Sequence, residues 1–268
     1  MAPSLAVPRA LGDRSRKTRS FVALGAALLV SAVAPAAFAQ DTTFSLDRLR
    51  IGGAPDDGIG VWRPQIADTP RFFGQFALGF SLTPFRVEHH LDDEEARRQM
   101  SAVSGPPVET QLTGYMTAGV EFLKRFSFNV MFPLTVVQTG NPTSRAGVRG
   151  AVDAVNLQTV AAGDMRFEAR GVLFYTDDGF FKLGTNAALF APSGNDKSFT
   201  GEKSTAGGVG LAAELDWKDF ILVFDSGFHF RPASGVNDFV VGHEWNYGLG
   251  GFIPLRDETI RLGRSEEH

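Results

Sequence analysis

The chain of 268 residues contains no cysteine. Zinc–thiolate sites, iron–sulfur clusters, cysteine nucleophiles and disulfide scaffolds all need thiols, so these classes of protein are excluded. Long apolar runs are also scarce, because mean hydropathy is only −0.04 although 43% of the residues are hydrophobic. The apolar residues must therefore be spread along the chain and not gathered into helical membrane spans. The formal net charge of −4 argues against a nucleic-acid partner.

The first 39 residues have the pattern of a secretory signal. A basic stretch between residues 9 and 19 is followed by an apolar run from Phe21 to Val33 and by the small-x-small site Ala37-Phe38-Ala39. The apolar run is too short for a membrane anchor, and Pro35 ends it. We predict a cleaved signal peptide over residues 1–39, and therefore an exported protein.

From residue 71 onward the apolar residues recur with period two, which is typical of β-strands that have one apolar face. In the first segment, Phe76, Leu78 and Phe80 alternate with small or polar residues. The same alternation predicts eight strands and the beginning of a ninth. Their predicted ranges are 71–83, 111–122, 126–136, 164–175, about 180–191, 207–217, 220–230 and 240–254, with the ninth starting at Thr259.

Short and long connections alternate between these predicted strands. The short ones are tight turns at 123–125, 176–179, 218–219 and 256–258, and the long ones cover 84–109, 138–163, 192–206 and 231–239. Short turns on one rim and long loops on the other are typical of an outer-membrane β-barrel. Aromatic residues flank the short turns, as expected of a girdle at a membrane interface. These are Phe122, Phe126, Tyr175, Phe180, Phe181, Trp217 and Phe220, with Phe228, Phe230 and Phe239 at the opposite rim.

The predicted fold class is all-β, an antiparallel up-and-down transmembrane barrel in the cell outer membrane. It comprises a periplasmic amino-terminal segment over 40–70 and the barrel over 71–268. A soluble secreted barrel that binds a small apolar ligand is the alternative, since alternation does not say which face contacts water.

Closure leaves several possibilities open. Bacterial single-chain barrels have an even number of strands, because no strand edge can be left in lipid. The chain could close at eight strands with a trailing stub, or residues 44–51 could add a strand. We favour a third interpretation, in which the sequence is the front part of a longer protein, since residues 263–268 stop within the pattern.

Three runs resemble the amino-terminal barrel of large OmpA-family outer-membrane proteins. They are Phe44-Ser45-Leu46-Asp47-Arg48-Leu49-Arg50, Phe128-Asn129-Val130-Met131-Phe132-Pro133-Leu134 and Gly248-Leu249-Gly250-Gly251-Phe252-Ile253-Pro254-Leu255-Arg256. The resemblance implies a barrel followed by calcium-binding repeats of thrombospondin type 3 and a peptidoglycan-binding OmpA-like domain. This sequence contains neither, so calcium and peptidoglycan binding are not carried over.

Charged residues occur on the polar face of the predicted strands, and we expect them to face the barrel lumen. The set is Glu121, Asp164, Arg166, Glu168, Arg170, Lys182, Glu214, Asp216, Asp225 and Glu244. In one interpretation these charges pair with one another and fill a narrow barrel. In the other they line an open path, and the acidic excess weakly favours cations. The predicted role is envelope-structural or passive, porin-like transport, with outer-membrane lipid, lipopolysaccharide and the barrel-assembly machinery as partners.

Catalysis, cofactors and metals are not expected. If Phe230 pairs with Phe239, Ser226 falls opposite His243 on the apolar face, as in a lipid-active enzyme, but no oxyanion donor or orienting carboxylate is evident. His89 and His90, followed by acidic residues 92–95, are adjacent on an extended chain and point apart, so a solvated outer loop is expected there.

Overall fold

A computed structural model describes residues 45–46, 51–58, 60–85, 108–140, 157–202, 204–236, 239–255 and 260–267. The predicted signal peptide, the loop with His89 and His90 and the interiors of the two longest loops lie outside these ranges.

Twelve strands alternate with turns and loops along the described part of the chain. They are β1 (Arg71–Phe85), β2 (Val108–Phe122), β3 (Phe126–Thr139), β4 (Ala161–Ala162), β5 (Met165–Tyr175), β6 (Phe181–Ala191), β7 (Ala206–Asp216), β8 (Ile221–Phe230), β9 (Ser234–Val236), β10 (Phe239–Val241), β11 (Glu244–Leu255) and β12 (Ile260–Glu267).

The main sheet has the order β1-β2-β3-β5-β6-β7-β8-β11-β12, and every pair in it is antiparallel. Each long strand therefore pairs with the next long strand along the chain. β4 pairs with β3 beside this path, and β9 and β10 form a separate hairpin. The all-β antiparallel class and the succession of strands are confirmed. Among the described residues, no helix is long and apolar enough to cross a membrane.

The predicted strand over 240–254 is wrong at its start. β11 begins at Glu244, and residues 239–241 belong to the small hairpin. The side chain of the buried Arg231 explains the break, because its Nε donates to the carbonyl of Gly242 at 3.0 Å. The amide of Arg231 also donates to His243 Nδ1 at 3.3 Å. These bonds use the amide of Arg231 and the carbonyl of Gly242, at the point where a continuous ladder between β8 and β11 would run.

The sheet has two chemically different faces. On the outer face, large apolar side chains are exposed, with Phe76 and Leu78 at 64% and 60%. The residues that alternate with them point to the inner face, where polar side chains such as Glu121 and Asn129 are completely buried. This is the reverse of the usual distribution in a water-soluble protein.

Residues 51–58 and 60–67, here called the inner segment, cover the inner face. Its Asp56 contacts β1, Asp57 contacts β5, Arg63 contacts β7 and the amide of Trp62 contacts β8. One short stretch reaches strands far apart in the sheet order, so the sheet is curled around it.

Apolar contacts complete this packing. Val61 packs with Ile221, Val223 and Phe252, and Ile51 packs with Tyr115 and Met131. Residues 44–51 are a possible added strand in the sequence. Ile51, at the end of this run, lies on the inner face and does not belong to any strand of the main sheet.

Candidate functional site

A buried cluster of charges lies where the inner segment meets β6 and β7. Arg63 donates to both oxygens of Glu214, at 2.7 Å from Nε and 3.0 Å from Nη2. Lys182 Nζ donates to Glu214 Oε1 at 2.7 Å and lies 3.5 Å from Asp216. Arg63 and Glu214 are 1% and 0% exposed. A buried carboxylate held by two cations in this way is fully engaged and is not available to a ligand.

A second cluster follows from the alternation of β5. Arg166, Glu168 and Arg170 are two residues apart, so their side chains share the inner face. Glu168 Oε2 accepts from Arg170 at 3.0 Å and from Arg166 at 3.3 Å, and Oε1 accepts from Asn186 Nδ2 at 2.7 Å. Arg170 also donates to Asp57 at 2.6 Å, which joins this cluster of charges on β5 to the inner segment.

Two further carboxylates bind the inner segment through its backbone. Glu121 accepts from the amide of Ala67 at 3.1 Å and from Arg71 Nε at 3.0 Å. Asp225 accepts from the amide of Trp62 at 3.1 Å. Both carboxylates satisfy backbone N–H groups of partly buried residues in the inner segment.

The third group of charges lies towards the long-loop rim. Asp164 accepts from the amides of Gly194 and Glu202 at 2.8 and 2.7 Å, so it holds the loop that follows β6. Burial raises the pKa of Asp164 above its usual range, although these amide donors act in the opposite direction. Arg231 joins Glu202, at 2.6 Å, to Glu244.

All ten charged residues singled out from the sequence therefore lie on the inner face or at its rim. Arg166, Glu168 and Arg170 pair with one another, and so do Lys182, Glu214 and Asp216. Their other partners were not predicted. They include Asp57 and Arg63 of the inner segment, Arg71 and Asn186 of the sheet, and Arg231 just after β8. The inner segment has no periodic pattern, and Arg63 and Glu214 are 151 positions apart. The excess of acidic over basic residues on the polar face of the predicted strands is the one sequence feature that indicates a missing cationic partner.

The register assumed for Ser226 and His243 is wrong. Ser226 pairs with Tyr247, and its hydroxyl accepts from Trp245 Nε1 at 2.8 Å and donates to the carbonyl of Asn246. His243 immediately precedes β11, and its Nδ1 accepts a hydrogen bond from the amide of Arg231. Phe239 belongs to the β9–β10 hairpin, where it pairs with Val236 and not with Phe230. Ser226 and His243 therefore do not lie opposite each other.

A cavity of about 560 Å³ lies on the inner face, bounded by the inner segment and by strands from β2 to β11. Glycines line part of it where β7 and β8 pair, and we call Gly208, Gly210 and Gly227 the glycine floor. Asn186 and Asn246 extend over this floor from either side. A Cβ at Gly210 would lie 2.5 Å from Asn186 Oδ1, and one at Gly227 would lie 3.1 Å from Asn246 Oδ1.

Comparison with protein-family models, with curated proteins and with solved structures finds no match for this chain. The resemblance to OmpA-family barrels stays a prediction.

Proposed function

We propose that this chain forms the wall of an outer-membrane β-barrel whose interior is filled by its own inner segment, and that its role is envelope-structural. The observation that carries the proposal is the apolar outer face. Exposed large apolar side chains occur on every long strand from β1 to β11. Among them are Leu82, Met116, Phe128, Leu173, Leu189, Leu211, Phe224 and Leu249.

Such a face is unfavourable in water. Contiguous apolar patches on water-soluble monomers rarely exceed a few hundred Å² (roughly 300–600 Å²). A bilayer removes this cost, and it also requires the backbone to be satisfied within the sheet. The antiparallel ladder does this for the strands that lie between β1 and β12, the two ends of the described sheet. A soluble barrel would instead turn the apolar face inward. Here the inward positions carry Glu121, Asn129 and Glu214, each 0% exposed.

The aromatic side chains at the short turns support the same proposal. Phe122 stacks on Phe126 with ring centroids 6.0 Å apart, and Trp217 contacts Phe180 at 5.4 Å and Phe220 at 6.3 Å. Rings clustered at one rim of the sheet are expected where strands leave the hydrocarbon for the headgroup layer.

The filled interior favours a structural role over an open porin-like path. The inner segment is joined to β5 and β7 by the buried ion pairs Asp57–Arg170 and Arg63–Glu214, and it also contacts β1 and β8. In a closed barrel it would lie across the space through which a solute would pass. Export by the signal peptide, insertion by the barrel-assembly machinery and contact of the outer loops with lipopolysaccharide are parts of the same proposal.

The three tryptophans provide a test. Trp217 and Trp245 lie on the outer face and are 48% and 69% exposed. Trp62 lies in the inner segment, with Arg170 over its ring at 5.4 Å. A Trp62→Phe chain retains only the outer tryptophans, and a Trp217→Phe/Trp245→Phe chain retains only the inner one.

Both chains would be refolded into phosphatidylcholine vesicles with brominated acyl chains, which quench tryptophan on contact. We expect strong quenching of the outer pair and little of Trp62. Equal quenching of the two chains, or failure of either folded chain to associate with vesicles, would overturn the proposal. Outer-membrane fractionation of the expressed protein tests the localisation separately.

A further inference from the structure

The first strand of the main sheet is paired along only one of its two edges. β1 pairs with β2, and no other strand of the described part of the chain pairs with β1. In an antiparallel ladder the N–H and C=O groups of successive residues point to opposite sides of a strand, so about half of those on β1 point to the free edge. Such a row of unpaired groups is a template for another strand.

This edge lacks the features that protect exposed edges in other proteins. Charged residues, prolines, bulges and short length are the usual means of keeping a further strand away. β1 has 15 residues, and residues 72–83 contain no charged residue and no proline. The bulge in its pairing with β2 lies between Leu82 and Phe85, at the end of the strand. A long, regular and uncharged edge is therefore available along most of β1.

The outer-face side chains of β1 also show that a neighbour is missing. Leu78 and Phe80 are 60% and 64% exposed. Met116 on β2 and Phe128 on β3, which have a strand on either side, are 44% and 43% exposed. The difference is apolar surface on one flank of β1, and side chains of a further strand would cover it.

Strand direction limits what can cover this edge. An odd number of strands separates β1 from β12 and every neighbouring pair is antiparallel, so these two strands run in the same direction. In a second copy with the same orientation in the membrane, β12 could pair with β1 only in parallel. The β1 strand of a second copy would be antiparallel only if that copy were inverted. The segments of this sequence with period-two alternation already belong to the sheet.

We propose that the free edge of β1 is an interaction surface for an amphipathic β-strand from outside this sequence, which runs antiparallel to β1. Its outer side chains are apolar and match Phe76, Leu78 and Phe80, and its inner side chains are small or polar. Main-chain hydrogen bonds supply the affinity, and the alternating side chains set the register. The exclusion of a second copy rests on the membrane orientation proposed above, whereas the free edge itself does not.

A single introduced thiol tests this surface, because the chain has no cysteine. The full Leu78→Cys chain, folded in detergent micelles, would be mixed with synthetic peptides of the β2 sequence (Val108–Phe122), which complements β1 on both faces. Each peptide carries cysteine at one position from 112 to 117, and copper phenanthroline is the oxidant. We expect disulfide yields that alternate with period two along the peptide, since only every second residue shares the face of Leu78.

Two further variants test direction and location. Phe80→Cys lies two residues further along β1, so the best-linked position should move two residues towards the amino terminus of the peptide. Movement towards the carboxyl terminus would indicate a parallel strand. Leu211→Cys is the matched control, since Leu211 is 52% exposed on the same face but β7 is paired on both sides. It should give no cross-link above background.

Methylation of the peptide backbone separates strand pairing from apolar contact. A strand added to an edge bonds to it through alternate residues. One peptide would be N-methylated at residues 112, 114 and 116, and another at 113, 115 and 117. We expect one of the two to cross-link Leu78→Cys and the other to lose this cross-link.

The proposal is overturned if no peptide cross-links, if the yields lack a period of two, or if Leu211→Cys is linked as well as Leu78→Cys. A parallel direction, or equal behaviour of the two methylated peptides, would also overturn it. Disulfide-linked dimers of Leu78→Cys as the main product without peptide would show that the occupant is a second copy. These results concern the edge alone, so the vesicle-quenching test of the outer face can succeed or fail separately.

Discussion

Glu214 connects the inner segment to the wall through two cations, Arg63 and Lys182. The two single substitutions at this site should therefore differ in cost. Glu214→Gln removes the carboxylate that the fully buried guanidinium of Arg63 shares with Lys182, and removal of one partner from a buried pair typically costs about 3–5 kcal/mol. Arg63→Met leaves Glu214 paired with Lys182, so we expect a smaller loss, about 1–3 kcal/mol.

Urea unfolding of the refolded chains in micelles measures both losses. Lys182→Met, at the more exposed of the two cations, is the matched control and should cost least. A larger loss for Arg63→Met than for Glu214→Gln would show that the pair is not the anchor described here.

Lys124 occupies a backbone conformation that side chains disfavour. Leu123 and Lys124 both have φ of 57° in the turn between β2 and β3, where Arg125 N donates to the Phe122 carbonyl. Left-handed conformation costs a non-glycine residue about 1–2 kcal/mol. Lys124→Gly should therefore stabilise the fold by about 0.5–1 kcal/mol, since glycine's greater freedom in the unfolded chain offsets part of the gain.

Lys124→Ala separates the two contributions to this effect. It removes the exposed Lys124–Asp68 ion pair, at 3.4 Å, but retains the Cβ. We expect no stabilisation from Ala, and equal effects of Ala and Gly would show that the turn is not strained.

At the scale of elements, the loop from 193 to 202 depends on Asp164 between β4 and β5. Burial raises the pKa of this carboxyl, so the folded chain binds the proton more tightly than the unfolded chain does. Its contribution to the free energy of unfolding is largest below the usual carboxyl pKa of about 4 and falls as the pH rises through the raised value. Asn does not titrate, so Asp164→Asn should gain stability relative to the parent chain between about pH 3 and pH 7.

The measurement is urea unfolding of both chains across that pH range. Asp219→Asn, in the exposed turn between β7 and β8, provides the comparison and should run parallel to the parent. A difference between Asp164→Asn and the parent that grows in the opposite direction would show that the carboxylate is the favoured form in the fold.

The strands and the inner segment differ in how far the sequence predicts them. Alternation placed β3 and β5 within a few residues, because a curled sheet with chemically different faces imposes period two on every wall strand. The contacts of Asp57 and Arg63 could not be predicted, since an irregular segment has no period and its partners lie on remote strands. The start of β11 was misplaced for a similar reason. The hydrogen bonds of Arg231 interrupt a run whose side-chain alternation continues.

At the scale of the whole molecule, we propose a membrane environment because the outer face of the sheet is apolar and its inner face is polar. The cavity was not predicted from the sequence, because it depends on how Asn186 and Asn246 extend over glycines of neighbouring strands. The charges of the inner face are predicted more readily, since all of them except Asp164 lie at alternate positions of a strand.

A single charge on the outer face distinguishes a lipid environment from an aqueous one. Leu211 lies in the middle of β7, opposite Thr185 and Ser226, and is 52% exposed. In a bilayer, Leu211→Arg should cost about 2–4 kcal/mol, whereas Asp177→Arg in the short turn after β5 should cost about 0–1 kcal/mol. In water an arginine at an exposed position is nearly neutral, so the same pair of variants should then be indistinguishable. Urea unfolding from phosphatidylcholine vesicles measures the difference, and equal stabilities would mean that the outer face of this sheet does not contact lipid.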